Sequence, residues 1–139
     1  MLKIEPYLSF EGRAEEAIEF YKKALGAKVT MLMRFKDAPP GACGGGAMTA
    51  PGDKVMHASL LIGDSNVMLS DGRCQGKANF QGISLSLAAA NDAEAERLFN
   101  ALAEGGGQVH VPMAKSFFAS RFGIVADRFG VNWMVITAS

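Results

Sequence analysis

The amino-acid sequence predicts an α+β protein built from two βαβββ modules. Their mixed or antiparallel sheets are expected to form a half-barrel trough with the helices on the outside. Two observations carry this prediction. Apolar residues change from alternate spacing to helical spacing and back, and the same order of segments occurs twice within 139 residues. One helix covers only one face of a four-stranded sheet, so we expect the other faces of the two modules to line the trough.

Composition restricts the class of protein. Apolar residues make up 49% of the chain and charged residues 20%, which is sufficient for one domain with a packed core. The formal net charge is zero, so we expect no nucleic acid partner. No apolar run reaches the roughly 18 residues that span a bilayer, and Met1-Leu2-Lys3 does not begin a signal peptide, so no membrane partner is expected. The isolated cysteines Cys43 and Cys74 indicate a reducing compartment and thus a cytoplasmic location.

The first module begins with alternation over residues 4–10, which predicts a strand. From Ala14 to Leu25 apolar residues recur at helical spacing, and Gly26 is expected to end that helix. A strand over residues 28–35 follows. Residues 37–53 are rich in glycine and proline and predict a long loop, either a tolerated insertion or a lid or dimer contact.

A hairpin closes the first module. Its strands are expected over residues 55–62 and 66–71, with Asp64 and Ser65 as loop residues, so that Ser59 opposes Ser70. The face expected to pack beneath the helix carries Ala58, Leu60, Ile62, Val67 and Leu69. The opposite face carries His57, Ser59, Leu61, Met68 and Ser70.

The second module repeats this order, and we place the modules at about residues 1–75 and 78–139 of a single domain. Its strands are expected at residues 82–87, 108–112, 119–126 and 131–137, with a helix capped by Asn91 or Asp92 and ended by Gly105–Gly107. On the last strand, Trp133 and Val135 should pack under the helix. The residues that alternate with them, Asn132, Met134 and Ile136, should line the trough.

Small polar side chains and methionines are concentrated on the faces turned away from the helices, which is typical of a ligand cleft. Histidine changes its charge near neutral pH, so His57 is the candidate acid or base, with Asp71 placed to orient it or a ligand. A structural role, in which His57 anchors the hairpin, is the alternative. The predicted ligand-binding side chains are Glu5, Tyr7, Ser9, His57, Ser59, Met68, Ser70, Asp71, Ser84, Phe117 and Met134.

Five segments together resemble the vicinal oxygen chelate superfamily, which includes glyoxalases, extradiol dioxygenases and bleomycin and fosfomycin resistance proteins. These segments are PYLSF (6–10), AIEFYKKALGA (17–27), HASLLIGDSNVMLSD (57–71), GISLSL (82–87) and FFASRFGIVADRFGVNWM (117–134). Within the superfamily the chain is most similar to the PhnB-like group. The resemblance implies a glyoxalase/bleomycin-resistance-type domain that assembles as a homodimer.

The resemblance also implies where a divalent metal would bind, with one ligand from the first and one from the last strand of each module. In this sequence those positions are Glu5 (or Pro6), Met68, Gly82 and Met134. Glycine offers no ligand and thioethers suit hard cations poorly, so we predict no metal and no other cofactor. We therefore predict a homodimer that binds a small organic molecule. The alternative is a glyoxalase- or lyase-type enzyme that uses His57 with Glu5 or Asp71 and an atypical divalent metal.

Overall fold

The computed structural model describes residues 2–37, 52–72 and 76–138. Most of the predicted 37–53 loop, residues 38–51, lies outside the described residues, as do Cys43 and Cys74. The chain divides into two compact units, Met1–Ala78 and Asn79–Ser139. Within the described residues, neither helix has the length and apolar character needed to cross a membrane.

The first unit has the predicted strand, helix and three further strands. These elements are β1 (Tyr7–Ser9), α1 (Ala14–Leu25), β2 (Lys28–Arg34), a short 3-10 turn (Phe35–Asp37), β3 (Val55–Ile62) and β4 (Ser65–Ser70). They form one sheet in the order β1-β4-β3-β2, in which β1 is parallel to β4 and the other pairs are antiparallel. This mixed sheet with one helix confirms the predicted α+β fold class.

The core of the first unit lies between α1 and one face of the sheet. Ala58, Leu60 and Leu69 on that face are fully buried, as is Ala17 on α1. The helix ends at Gly26, whose φ of 67° is a left-handed conformation that glycine adopts at low cost. The predicted assignment of side chains to the two faces of the hairpin is therefore confirmed.

Two details of the first unit differ from the prediction. The hairpin loop is Gly63-Asp64, so Ser59 opposes Met68 rather than Ser70. Two-residue hairpin turns need a residue with positive φ at the first loop position, and Gly63 has a φ of 58°. The loop therefore begins at Gly63, one residue earlier than predicted. The shift in pairing is two residues, an even number, and it leaves the faces unchanged. Strand β1 begins at Tyr7 instead of residue 4, since Pro6 has no N–H to pair.

The second unit repeats the topology. Its elements are β5 (Ser84–Ala88), α2 (Asp92–Ala103), β6 (Gln108–Ala114), β7 (Ala119–Ala126) and β8 (Asn132–Ala138), and its sheet order is β5-β8-β7-β6. Asn91 caps α2, because its side-chain oxygen accepts a hydrogen bond from the Glu94 backbone N–H at 2.8 Å. Strand β5 starts at Ser84, since Gly82 has a φ of 83°, outside the β region.

A buried carboxylate organises the turn between β7 and β8. Asp127 accepts hydrogen bonds from the backbone N–H groups of Phe129 and Val131, at 2.9 and 3.1 Å, and from the Trp133 indole N–H at 3.0 Å. Trp133 and Val135 are buried, as predicted for residues under α2. Trp133 and Phe129, in the segment 117–134, thus belong to the core of the second unit.

Candidate functional site

The face of the first sheet opposite α1, here called the helix-free face, carries the predicted histidine. Strand register places Tyr7 beside Met68, Met68 beside Ser59 and Ser59 beside Met31, in one row across the four strands. In the adjacent row His57 lies beside Met33. Paired residues on neighbouring strands point to the same side of a sheet, so these side chains share the helix-free face.

His57 is hydrogen-bonded at both ring nitrogens. The Tyr7 hydroxyl lies 3.0 Å from Nδ1, and the Ser59 hydroxyl lies 3.4 Å from Nε2. The Tyr7 and His57 rings are 5.5 Å apart and tilted by 37°. A neutral imidazole has one N–H donor and one acceptor nitrogen, so one hydroxyl donates to the ring and the other accepts from it. The 3.0 Å contact is the stronger of the two.

This hydrogen-bonded chain is accessible to a ligand. Tyr7 is 49% exposed and Met31 is 45% exposed, while His57, Ser59 and Met68 are half-buried. The structure therefore brings together four of the predicted site residues: Tyr7, His57, Ser59 and Met68. Exposed Ser9 lies on the same face in the next row, beside Ser70.

The structure places Asp71, predicted to orient a ligand or the imidazole, in the core of the first unit. Asp71 is 1% exposed, and its two carboxylate oxygens accept hydrogen bonds from the backbone N–H groups of Ala14 and Val55, each at 2.7 Å. It therefore joins the start of α1 to the start of β3. Ser70 is also buried, and its hydroxyl accepts a hydrogen bond from the Gly72 N–H.

The remaining predicted site residues are Glu5, Ser84, Phe117 and Met134. Glu5 precedes β1 and pairs with Lys3 at 3.4 Å. In the second unit, exposed Ser84 and half-buried Met134 lie on the sheet face opposite α2. Phe117 is 98% exposed and forms an edge-to-face contact with Phe118, at 5.1 Å between ring centroids.

Of the four positions that would hold a divalent metal, only Glu5 carries a carboxylate, and it pairs with Lys3. Register pairs Met68 with Tyr7 and Met134 with Ser86, whereas Gly82 precedes β5. Met68 and Met134 offer thioethers and Gly82 offers no side chain, so one carboxylate is left where a divalent-metal site needs three or four ligands. Among the described residues, no group of three or more His, Cys, Asp or Glu side chains is arranged to hold a metal ion. The residues present therefore do not fit a divalent metal ion.

Two site residues, Met31 and Met33, were not identified from the sequence. Their side chains share the helix-free face because β2 is regular from Met31 to Met33, between two irregularities in its pairing with β3. The sequence feature that could have identified them is their spacing, because two methionines separated by one residue in a predicted strand lie on the same face.

A surface ion pair lies next to this end of β2. The Arg34 guanidinium donates to both carboxylate oxygens of Glu15 on α1, at 3.0 and 2.8 Å. Hydrogen bonding to Arg34 lowers the pKa of Glu15, and the same hydrogen bonds raise the pKa of Arg34. Arg34 also donates to the Asp53 backbone oxygen at 2.7 Å, so the pair links α1, the end of β2 and the segment before β3.

The duplicated βαβββ units have the fold that the resemblance to the vicinal oxygen chelate superfamily implied. The fold is shared with the fosfomycin resistance protein FosX from Mesorhizobium loti, with a TM-score of 0.66 at 13% identity over 100% of this chain and 94% of that one. Such low identity shows the fold alone.

More specifically, the chain belongs to the 3-demethylubiquinone-9 3-methyltransferase family, whose model matches residues 2–136. It is 35% identical to protein YjdN from Escherichia coli over 96% of this chain and 94% of the relative. The crystal structure of protein PA1353 from Pseudomonas aeruginosa is 41% identical, with a TM-score of 0.80 over 99% of this chain and 98% of that one. A PhnB protein from Bacillus cereus has a TM-score of 0.79 at 25% identity, covering 99% and 100% of the two chains. The predicted PhnB-like membership is thus confirmed.

Proposed function

We propose that this protein binds a small, flat and largely apolar organic molecule on the helix-free face of the first sheet. The observation that carries the proposal is the Tyr7–His57–Ser59 hydrogen-bonded chain, which is partly exposed and bordered by methionines. The hydroxyl and imidazole groups would orient one polar group of the ligand. The thioether side chains would cover its apolar surface, since methionine adapts to irregular shapes.

The expected affinity follows from the area available. Covering about 200 Å² of apolar surface contributes about 5 kcal/mol, which corresponds to a dissociation constant of about 0.2 mM before the cost of association. Hydrogen bonds to the Tyr7–His57 pair would strengthen binding by about another 1–2 kcal/mol. Binding in the range of tens of micromolar to millimolar is therefore expected for an unoptimised ligand.

The groups that contact His57 favour a neutral ligand. Both hydrogen-bonding partners of the ring, Tyr7 and Ser59, are uncharged hydroxyls. These uncharged hydroxyls would replace the hydration of an anionic ligand only in part. We therefore expect a neutral aromatic alcohol to bind more tightly than an aromatic carboxylate of the same ring size.

Titration with 1-naphthol and 2-naphthoate tests this proposal. Backbone and methionine-methyl NMR shifts would locate the binding, and the midpoint of thermal unfolding would report it independently. We expect 1-naphthol to shift signals of Tyr7, His57 and Met68, and Tyr7→Phe to weaken binding about fivefold or more by loss of one hydrogen bond. His57→Gln should weaken it as well, whereas His110→Gln, at the exposed second histidine, should not. Unchanged affinity in both Tyr7→Phe and His57→Gln, or signals that shift elsewhere, would refute the assignment.

We further propose that binding needs no divalent metal. The support is the donor set at the superfamily's ligand positions, where Met68 and Met134 offer thioethers. Protein treated with EDTA should bind 1-naphthol with the same dissociation constant as untreated protein. Recovery of binding only after addition of Mn²⁺, Ni²⁺ or Zn²⁺ would contradict this.

The resemblance to the superfamily also supports a homodimer. Sedimentation velocity over a range of protein concentrations tests this proposal directly. A species with twice the mass of the 14.7 kDa chain is expected, and a monomer at every concentration would refute it.

A second candidate function is acid–base catalysis at His57. The 3.0 Å contact between the Tyr7 hydroxyl and Nδ1 favours it, because this bond would orient the imidazole for proton transfer through Nε2. For this function, Tyr7 has the role that was predicted for Asp71, which is to orient the imidazole. A suitable probe is exchange of the α-protons of hydroxyacetone in D₂O, in which His57 would remove a carbon-bound proton and return a deuteron. Exchange no faster with wild type than with His57→Gln would exclude this function for hydroxyacetone-type substrates.

A further inference from the structure

Three methionines occupy register positions directly beside Ser59 or His57 on the helix-free face. Met31 lies beside Ser59 on one neighbouring strand and Met68 lies beside it on the other. Met33 lies beside His57, two residues along β2 from Met31. Directly paired side chains on neighbouring strands have Cβ atoms about 5 Å apart, so flexible thioethers flanking a serine can converge above it.

The imidazole is oriented toward the same point. Nδ1 contacts the Tyr7 hydroxyl at 3.0 Å, while Nε2 faces the Ser59 hydroxyl at 3.4 Å, the weaker of the two contacts. A metal-binding histidine commonly donates its other ring N–H to a nearby oxygen, which fixes the tautomer. With Nδ1–H donating to Tyr7, the Nε2 lone pair is directed toward Ser59, between Met31 and Met68.

We propose that this cluster is a binding site for a soft monovalent cation, Cu(I), with His57 Nε2 and the thioethers of Met31 and Met68 as its ligands. Met33 is placed to supply a further thioether. Uncharged sulfur and imidazole ligands favour Cu(I) and Ag(I), whereas they bind hard divalent cations poorly. The proposed ligands His57, Met31 and Met68 include no carboxylate, so this donor set favours a soft ion over a hard divalent one.

Access and charge agree with this assignment. Met31 is 45% exposed and the other proposed ligands are half-buried, so an ion can reach the cluster from solution. A single positive charge on a partly solvated face carries a much smaller desolvation cost than a buried divalent ion. The proposal does not depend on the organic ligand, since it rests on the donor atoms alone.

The experiment uses Ag(I) as a redox-inert probe and Cu(I) under anaerobic reducing conditions. A Cys43→Ser/Cys74→Ser background removes the thiols, which would otherwise bind either ion. Native mass spectrometry would give stoichiometry, and competition with bicinchoninate would give the Cu(I) affinity. Methionine-methyl ¹³C NMR would show which thioethers bind, independently of affinity.

Leucine replacements test the ligands with little change in volume. Met31→Leu and Met68→Leu should each weaken Ag(I) and Cu(I) binding at least tenfold. The matched control Met113→Leu, in β6 of the second unit, should leave it unchanged. His57→Gln should weaken binding similarly and His110→Gln should not, with circular dichroism used to confirm that each variant is folded.

We expect one ion per chain and methyl shifts confined to Met31, Met33 and Met68. The proposal is overturned by the absence of stoichiometric Ag(I) binding, by equal affinity in Met68→Leu and Met113→Leu, or by displacement of Ag(I) by equimolar Zn²⁺. If the ion binds but 1-naphthol does not, only the organic-ligand proposal fails. If 1-naphthol binds but Ag(I) does not, only the Cu(I) proposal fails.

Discussion

Replacement of Asp71 is the most direct test of how the first unit holds its helix. The carboxylate is buried, and it accepts 2.7 Å hydrogen bonds from the N–H groups of Ala14 and Val55. The first residues of a helix have N–H groups without partners in the helix, and Arg13, at the cap position of α1, forms no side-chain cap. Asp71 supplies this cap from 57 residues away in sequence.

The magnitude follows from the two bonds. A hydrogen bond to a charged group contributes about 1.5–3 kcal/mol, so Asp71→Ala should lower the free energy of unfolding by about 3–6 kcal/mol. Asp71→Asn retains one acceptor oxygen but turns an NH₂ group toward the second backbone donor, so we expect a loss of about 2–3 kcal/mol. Against a typical total of about 5–15 kcal/mol, either change is large.

Urea unfolding monitored by circular dichroism measures these losses, and backbone amide exchange locates them. Exchange at Ala14 and Val55 should accelerate in both Asp71 variants. The matched control is Asp64→Asn at the exposed hairpin loop, which should change the free energy of unfolding by less than about 0.5 kcal/mol. A loss below about 1 kcal/mol in Asp71→Ala, or unchanged exchange at Ala14, would refute the capping role.

Three other outcomes are expected. Trp133→Phe removes the indole N–H bond to buried Asp127 and should cost about 1–3 kcal/mol of unfolding free energy, measured by urea unfolding. Gly107→Ala would place a Cβ 2.8 Å from three backbone atoms, and it should lower the thermal midpoint through a loss of about 1–3 kcal/mol. The pKa of Glu15 is lowered by Arg34, so the pair stabilises the fold above the ordinary value of 4.5 and loses this contribution as pH falls through the lowered folded value. Wild type should thus exceed Glu15→Gln in stability at pH 7, and the difference should disappear in acid; a difference that grows below pH 4.5 would contradict the assignment.

The elements of the fold were predictable because they depend on local spacing. Alternation placed Leu60 and Leu69 under the helix, and helical spacing defined α1, without knowledge of any long-range contact. The hairpin register was not obtained, because it depends on which residue of the loop adopts positive φ. Gly63 does so at 58°, and either choice of loop left the same side chains on the same face.

The site was only partly predictable because its contacts join distant segments. His57 was assigned to the correct face, but its partner Tyr7 is 50 residues away, and their contact requires the parallel pairing of β1 with β4. Asp71 was predicted to orient a ligand or the imidazole because it lies near the end of a strand that carries predicted site residues. Its carboxylate accepts hydrogen bonds from the backbone N–H of Ala14, which the packing of α1 brings to it, and from that of Val55 at the start of β3.

The two units share one topology but differ on the face that the helix does not cover. Toward the helices both present buried aliphatic or aromatic residues, such as Leu60 in the first unit and Val135 in the second. On the other face the first unit has the Tyr7–His57 pair, whereas the row through Met134 in the second carries serine and isoleucine. Packing against a helix restricts residues to apolar types of suitable volume, while the uncovered face can vary without loss of the fold. Differences in ligand chemistry among proteins of this fold should therefore concentrate on that face. In this chain the Tyr7–His57 pair makes the first unit the candidate for ligand chemistry.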